Sequence, residues 1–416
     1  MLRSRRTLAL AVAALAAALL LPASQAVAKG DGASGIRHVV FVGNNWDGTA
    51  DVIYPKAGYK RVARINIVPD LQQRLLEIYT SPDKLGFFLA IRQLVGEGHD
   101  QFVDDMYSTP DGRLLIVSRP SLADVVGINL KTGKIAWRFP MDGYRSDHMG
   151  LSPDGTQVAV SDSTANVVHV LDTRTGKELG EFPSGDSPHE NTYSKDGSLI
   201  YHASIGRVYT PTDDPSMSTS KGERWFEIVD AKTFKVLKKI DMGKKLDQAG
   251  YPDMSSSVRP MALSPSERFV YFQVSFFHGF VEYSLKNNRV RRVANLPIAD
   301  EVKDMPREEY LLDSAHHGIA MNERGTRLCV AGTMSDYAAI VGRKSFRYKL
   351  IHGGKKPYWS TTSLNGRKCY VSWSGSDRIS VISYRKRKEI ARVKVGDHPQ
   401  RIRSGNVQAG WLAARL

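Results

Sequence analysis

The sequence predicts an all-β fold, a seven-bladed β-propeller, on three observations. A turn tetrad recurs as Thr109-Pro110-Asp111-Gly112, Ser152-Pro153-Asp154-Gly155, Ser194-Lys195-Asp196-Gly197, Asn322-Glu323-Arg324-Gly325 and Ser363-Leu364-Asn365-Gly366, each followed by a short apolar run. Gly112, Gly155 and Gly197 lie 43 and 42 residues apart and Gly366 follows Gly325 by 41, the period of one four-stranded blade. The tail Pro399-Gln400-Arg401-Ile402-Arg403-Ser404 reads as an inner strand without a blade of its own, so it is expected to complete blade one and remove an exposed edge.

Residues 1–28 read as a signal peptide. Arg3, Arg5 and Arg6 form a basic start, Leu8 to Leu21 an apolar core, and Ala26-Val27-Ala28 a small-residue cleavage site, so the mature chain is expected to begin near Lys29 and to be secreted or extracytoplasmic. Ser4-Arg5-Arg6-Thr7-Leu8 also fits a loose twin-arginine pattern, but the ordinary secretory route is the expected one. No cysteine follows the cleavage site to carry a lipid, and no second apolar run is long enough to span a bilayer. Residues 29–416 form one expected propeller domain. Arg37 to Pro69 supplies three strands of blade one, and further blades start at Phe102, Ser146, Ser187, Val258, Ala315 and Lys356. Blade three shows the physics best: Gln157 to Ser161 and Val167 to Asp172 are apolar strands, and Asp172-Thr173-Arg174-Thr175-Gly176 reverses the chain between neighbours.

The stretch Cys369-Tyr370-Val371-Ser372-Trp373-Ser374-Gly375-Ser376-Asp377-Arg378-Ile379-Ser380-Val381-Ile382, followed by Val395-Gly396-Asp397-His398-Pro399, closely resembles the YVTN-type (surface-layer-like) β-propeller repeat, as does Val158 to Pro188. The resemblance spans roughly residues 37 to 407. It implies the fold and leaves function open, since such propellers serve as surface proteins, binding proteins and enzymes.

Insertions interrupt the repeat at Leu71 to Gly96, Gly206 to Arg224, Lys244 to Ser257 and Ile298 to Asp313, and propeller topology places all four on one face. In the first, Leu71, Leu75, Leu76, Tyr79, Leu85, Phe88, Leu89 and Ile91 recur at helical spacing, which predicts a helical insertion over 71–96, either a lid or an inert cover. Cys329 and Cys369 read as matching second-strand positions in adjacent blades, pointing the same way, so a disulfide is open but two small buried residues are the favoured expectation. Without the three leader arginines the chain keeps a formal charge of +12, which favours anionic envelope polymers or headgroups as peripheral partners; nucleic acid is open electrostatically but unsupported by any motif. Arg385-Lys386-Arg387-Lys388 occupies a hairpin turn without interleaved aromatics and reads as a solvated turn.

The chemical signal is a ring at the starts of the inner strands. Asp104 and Asp105, Asp147 and His148, His189 and Glu190, Arg259, His316 and His317, and Tyr358 and Trp359 recur at one level, with His398 in the closing strand. Inner strands line the channel, so these side chains are expected to converge at the insertion-bearing mouth. His148, His189 and His317 suit a divalent transition metal, with Asp105 or Glu190 as fourth ligand or general base and Arg259 gripping an anionic group. Asp104, His316, Tyr358 and Trp359 would contact a ligand. The plain alternative is that these groups only solvate the channel. Strand alternation would turn His316 and His317 to opposite sides, so one of the two should face inward. Nucleophile elbow, phosphate-binding glycine loop and metal-binding helix signatures are absent from the sequence. The expected protein is a monomer that binds a small molecule or envelope polymer at this mouth, as a binding or scaffolding protein, or as a metal-dependent lyase, hydrolase or oxidase.

Overall fold

The computed structural model describes residues 35–208 and 219–416. The leader expected at 1–28, and 209–218 of the second insertion, lie outside the described residues. Seven four-stranded sheets form seven blades, every strand pair antiparallel. Blade one contains Ile36–Asn44, Thr49–Tyr54 and Lys60–Asn66, and its innermost strand is the chain terminus, Pro399–Gln408. That strand pairs from Ile36 opposite Gln408 to Asn44 opposite Pro399. The inner strands of the other blades are Met106–Ser108, Ser146–Leu151, Pro188–Tyr193, Val258–Leu263, Ile319–Met321 and Pro357–Thr362.

The tetrads of blades two, three, four and seven close by the same chemistry. In blade three the Ser152 hydroxyl donates to Asp154 Oδ1 (2.6 Å), which also accepts the Thr156 amide (3.1 Å), while Ser152 Oγ accepts the Gln157 amide (3.0 Å). Gly155 sits at φ +71°, a conformation a side chain would strain. Burial follows position within the blade: the second strand Leu114–Arg119 is almost wholly buried, whereas the outer strands Ile135–Pro140 and Lys388–Lys394 alternate along their length. Blades cover one another through apolar contacts such as Phe226, Phe272 and Tyr283, whose rings lie 6.4–6.5 Å apart.

Two helices, α1 (Leu71–Tyr79) and α2 (Pro82–Leu94), lie between blades one and two. Ile78, Phe88 and Ile91 are their buried stripe, whereas Leu76, Tyr79 and Leu89, equally eligible by spacing, are 65, 55 and 45% exposed. The pair is tied to the edge of blades two and three: Arg74 donates to the Leu122 carbonyl (3.1 Å), Phe87 stacks on Tyr144 at 4.0 Å, and the Tyr144 hydroxyl donates to Asp83 (2.9 Å). Among the described residues no helix is long and apolar enough to cross a membrane.

One expectation is corrected. Cys329 and Cys369 form a disulfide, with Cα atoms 6.5 Å apart. Counted from the anchoring glycines, Cys329 stands four residues after Gly325 and Cys369 three after Gly366. A one-residue offset reverses the face a strand residue occupies, so the two thiols meet across the interface of blades six and seven.

Candidate functional site

The inner strands break their ladders where the ring residues stand. Register shifts fall between Ser146 and Met149, Pro188 and Glu190, Val258 and Met261, and Pro357 and Ser360. Regular alternation would send every second side chain away from the channel, and an irregularity lets two consecutive residues reach it. Asp147 and His148, and His189 and Glu190, both do so. Ser187, Lys356 and His398 precede a proline yet have φ of +52°, +47° and +51°. Residues before proline avoid helical conformations, so each such turn costs on the order of 1–3 kcal/mol and marks the strand starts as strained.

His148, His189 and His317 are all at most 4% exposed, and one donor nitrogen of each lies within 4.8 Å of the others. The His148 and His189 rings stand 3.6 Å apart, and His317 faces them at 5.6 and 5.8 Å while stacking on Tyr358 at 4.1 Å. His148 Nδ1 meets Glu190 at 3.0 Å and His189 Nδ1 meets Asp147 at 3.1 Å. A carboxylate on one ring nitrogen fixes the tautomer and turns the other nitrogen outward as a lone-pair donor, the arrangement metal-binding histidines use. His189 Nε2 and His317 Nδ1 are buried without a hydrogen-bond partner. Burial lowers the pKa of all three: His189 falls to about 4 despite Asp147, and His148 and His317 are held well below the usual imidazole value, helped by the charge of Arg401. The rings are therefore neutral at pH 7, the form that binds a metal.

Acids and arginines surround them. Asp104 closes a second group with Asp147 and His148. Burial pushes Asp104 up to about 7 against the pull of Arg401, and pushes Glu190 up to about 7 against Arg401 and Arg403. Asp147 moves the other way, since Arg145, 2.7 Å away, and His189 outweigh its burial. Arg401 is fully buried, its guanidinium 3.7 Å from the Trp359 ring centre. It is 3.5 Å from Asp104 and 3.7 Å from Asp105, at ion-pair range, yet Nε and both terminal nitrogens make no hydrogen bond. Arg403 grips Asp105 with two bonds of 2.8 and 2.6 Å and lies over Tyr107. The centre thus combines neutral nitrogen donors, poised carboxyls and a cation with donors to spare.

The structure gathers Asp104, Asp147, His148, His189, Glu190, His317, Tyr358 and Trp359 around this centre. Asp105 is committed to Arg403. Arg259 is committed to Ser275 Oγ (3.0 Å) and the Leu312 carbonyl, although its charge still acts on His189 and His317. His316 turns outward, its Nε2 3.1 Å from the Tyr337 hydroxyl and its ring against His278, so it is not part of the cluster. His398 instead sandwiches Trp46 together with His99, both at 3.8 Å. Sequence reasoning missed Arg401, Arg403, Arg145 and Tyr107; the signal for the first two was their two-residue spacing in an inner strand, which aims both at the channel. A cavity of about 340 Å³ touches Tyr107, Glu190, Trp359 and Arg403, then runs past Leu151, Tyr193, Leu263 and Met321. Those residues end the inner strands, so this cavity lies toward the tetrad face and not the insertion face where the mouth was expected.

No protein-family model matches the chain, and no curated protein matches its sequence. Among solved structures the fold is similar to that of the dihydro-heme d1 dehydrogenase NirN in complex with DHE, with a TM-score of 0.51 and 12% identity. The match covers 86% of this chain and 63% of that one, so the chain spans less than two thirds of its neighbour's length. At that identity the likeness establishes the propeller fold alone.

Proposed function

We propose that this is an exported YVTN-type propeller that binds a divalent transition metal through His148, His189 and His317, and a small anionic molecule beside it, as an envelope-associated binding protein. The observation that carries this reading is the convergence of three neutral imidazoles in a buried site, two of them, His148 and His189, backed by carboxylates. A tetrahedral ion with bonds of 2.0–2.2 Å spaces its donors roughly 3.4 Å apart, which modest ring rotations reach from the present separations. Asp104 stands next in line as a fourth ligand, and Arg401 offers charge-assisted hydrogen bonds to an anion. NirN, solved with DHE, is a protein of the same fold with a bound small molecule.

Isothermal titration of metal-free protein with zinc should give one site, and His148→Ala or His189→Ala should abolish it with the melting temperature nearly unchanged. Equal binding by these variants would refute the site. Export is checked separately by intact mass: the mature chain should begin near Lys29, and recovery of only the full-length chain from the cytosol would refute it.

A second reading, a metal-dependent enzyme, is favoured by Asp104 and Glu190. Both carboxyls lie near neutrality, where a group can accept and return a proton at pH 7. Incubating zinc-loaded protein with a metabolite extract separates the readings: a ligand recovered unchanged supports binding, and one consumed with turnover supports catalysis.

A further inference from the structure

A cleft of about 1020 Å³ opens between blades six and seven on the tetrad face, and none of the three clustered histidines lines it. Arg324, Lys344, Arg367 and Arg385 line it, are exposed, and have no hydrogen-bond or ion-pair partner for their side chains among the described residues. Three further cations in the wall are engaged in holding it: Arg327 donates to the Tyr384 and Arg385 carbonyls, Arg343 to the Tyr271 hydroxyl, and Lys368 to the Tyr59 hydroxyl. Glu323 is the one carboxylate in the lining.

The repeat shows that the fold does not require this charge. The third tetrad position is Asp111, Asp154 and Asp196 in blades two to four, where the carboxylate accepts the first residue's hydroxyl. In blade seven Asn365 accepts the Ser363 hydroxyl (2.9 Å) in the same way without a charge. In blade six Arg324 takes the position, and the Asn322 side chain supplies the acceptor for the Thr326 and Arg327 amides (2.8 and 2.9 Å). Turn geometry is kept while the third-position carboxylate is lost from both tetrads that border the cleft, leaving Glu323 at the second position of blade six as their one acid.

We infer that this cleft binds a linear, phosphate-bearing polymer. Four uncommitted cations along a groove suit successive phosphates, and arginine forks match phosphate oxygens two at a time. Tyr384, the one aromatic residue in the lining, is 2% exposed, so no ring face is offered for stacking bases, which argues against nucleic acid. The concave shape disfavours a flat lipid surface. The inference extends the envelope-associated part of the reading above and is independent of the metal centre.

The test uses a defined short-chain polyphosphate as probe. With four phosphate contacts at a slope of about 0.7 each, affinity should fall about 50-fold between 50 and 200 mM salt. Converting Arg324, Lys344, Arg367 and Arg385 together to glutamine should abolish binding and the salt slope, and Lys344→Gln with Arg385→Gln alone should halve the slope. The charge-matched control, Lys131, Lys134, Lys177 and Lys232 to glutamine on exposed turns of other blades, should bind like wild type. Zinc binding should be unaltered in every variant, which separates failure of this inference from failure of the metal site. Equal loss in the control would show diffuse attraction and overturn the cleft. Tighter binding of single-stranded DNA, polyglutamate or phosphatidylglycerol vesicles than of polyphosphate would overturn the proposed ligand.

Discussion

Replacing Arg401 with methionine separates a functional cation from a structural one. The variant keeps an unbranched stem to lie on Trp359 and removes a guanidinium whose nitrogens are fully buried without hydrogen bonds. Leaving such a group unsatisfied costs about 1–3 kcal/mol, and replacing buried charge by apolar packing is often stabilising by a similar amount. Against this stands the loss of a Coulomb partner for two carboxylates. Asp105 keeps its two bonds to Arg403. Asp104, already near 7, simply takes up its proton at pH 7, which limits that cost to below about 1 kcal/mol. The net expectation is a stabilisation of about 1–2 kcal/mol, read as a higher urea midpoint with an unchanged slope. Titration with orthophosphate and with a small dicarboxylate should meanwhile show affinity reduced at least tenfold, the loss of a charge-assisted hydrogen bond of about 1.5–3 kcal/mol. If the variant is destabilised by more than about 2 kcal/mol while anion binding survives, Arg401 is a structural residue and the reasoning fails.

Three further expectations concern the scaffold. Reducing the Cys329–Cys369 bridge, or changing both to alanine, should lower stability by about 4 kcal/mol on a loop-entropy estimate for a separation of 40 residues, and an unfolding midpoint unaffected by reductant would contradict the bridge. Deleting residues 398–416 removes the inner strand of blade one and should lower the melting temperature sharply, whereas an unchanged melt would show that the ring does not depend on this closure. His202 and His398 are held down to about 3, chiefly by burial, so below 6.5 the unfolded chain binds protons that the folded one refuses. The contribution of these two histidines should therefore fall as pH drops from 6.5 towards 3, by about 2 kcal/mol each at pH 5, so wild type should lose more urea midpoint between pH 8 and pH 5 than a His202→Gln, His398→Gln variant, and equal losses would refute it.

The repeat made the fold legible because each blade must solve one problem with few residue types: a tetrad needs a short side-chain acceptor and a glycine, and the buried strands need apolar side chains. The closing strand was legible for the same reason, having strand character and no blade. The cluster of His148, His189 and His317 could be placed because inner strands share a level around the axis. What alternation alone could not give was the local backbone: irregularities at Ser146, Pro188 and Pro357 bring consecutive residues to the channel. The same one-residue sensitivity hid the disulfide, since an offset from the anchoring glycine decides whether two thiols face each other. Arg401 escaped notice because arginines in a basic chain read as surface until a strand register buries them.

Anomalous diffraction from crystals of the zinc-loaded protein locates the metal relative to the three histidines. One strong peak is expected at 2.0–2.2 Å from a ring nitrogen of each of His148, His189 and His317. A peak only at the partly exposed group of Asp142, His169 and Glu181, or none at the channel centre at full zinc loading, would contradict it.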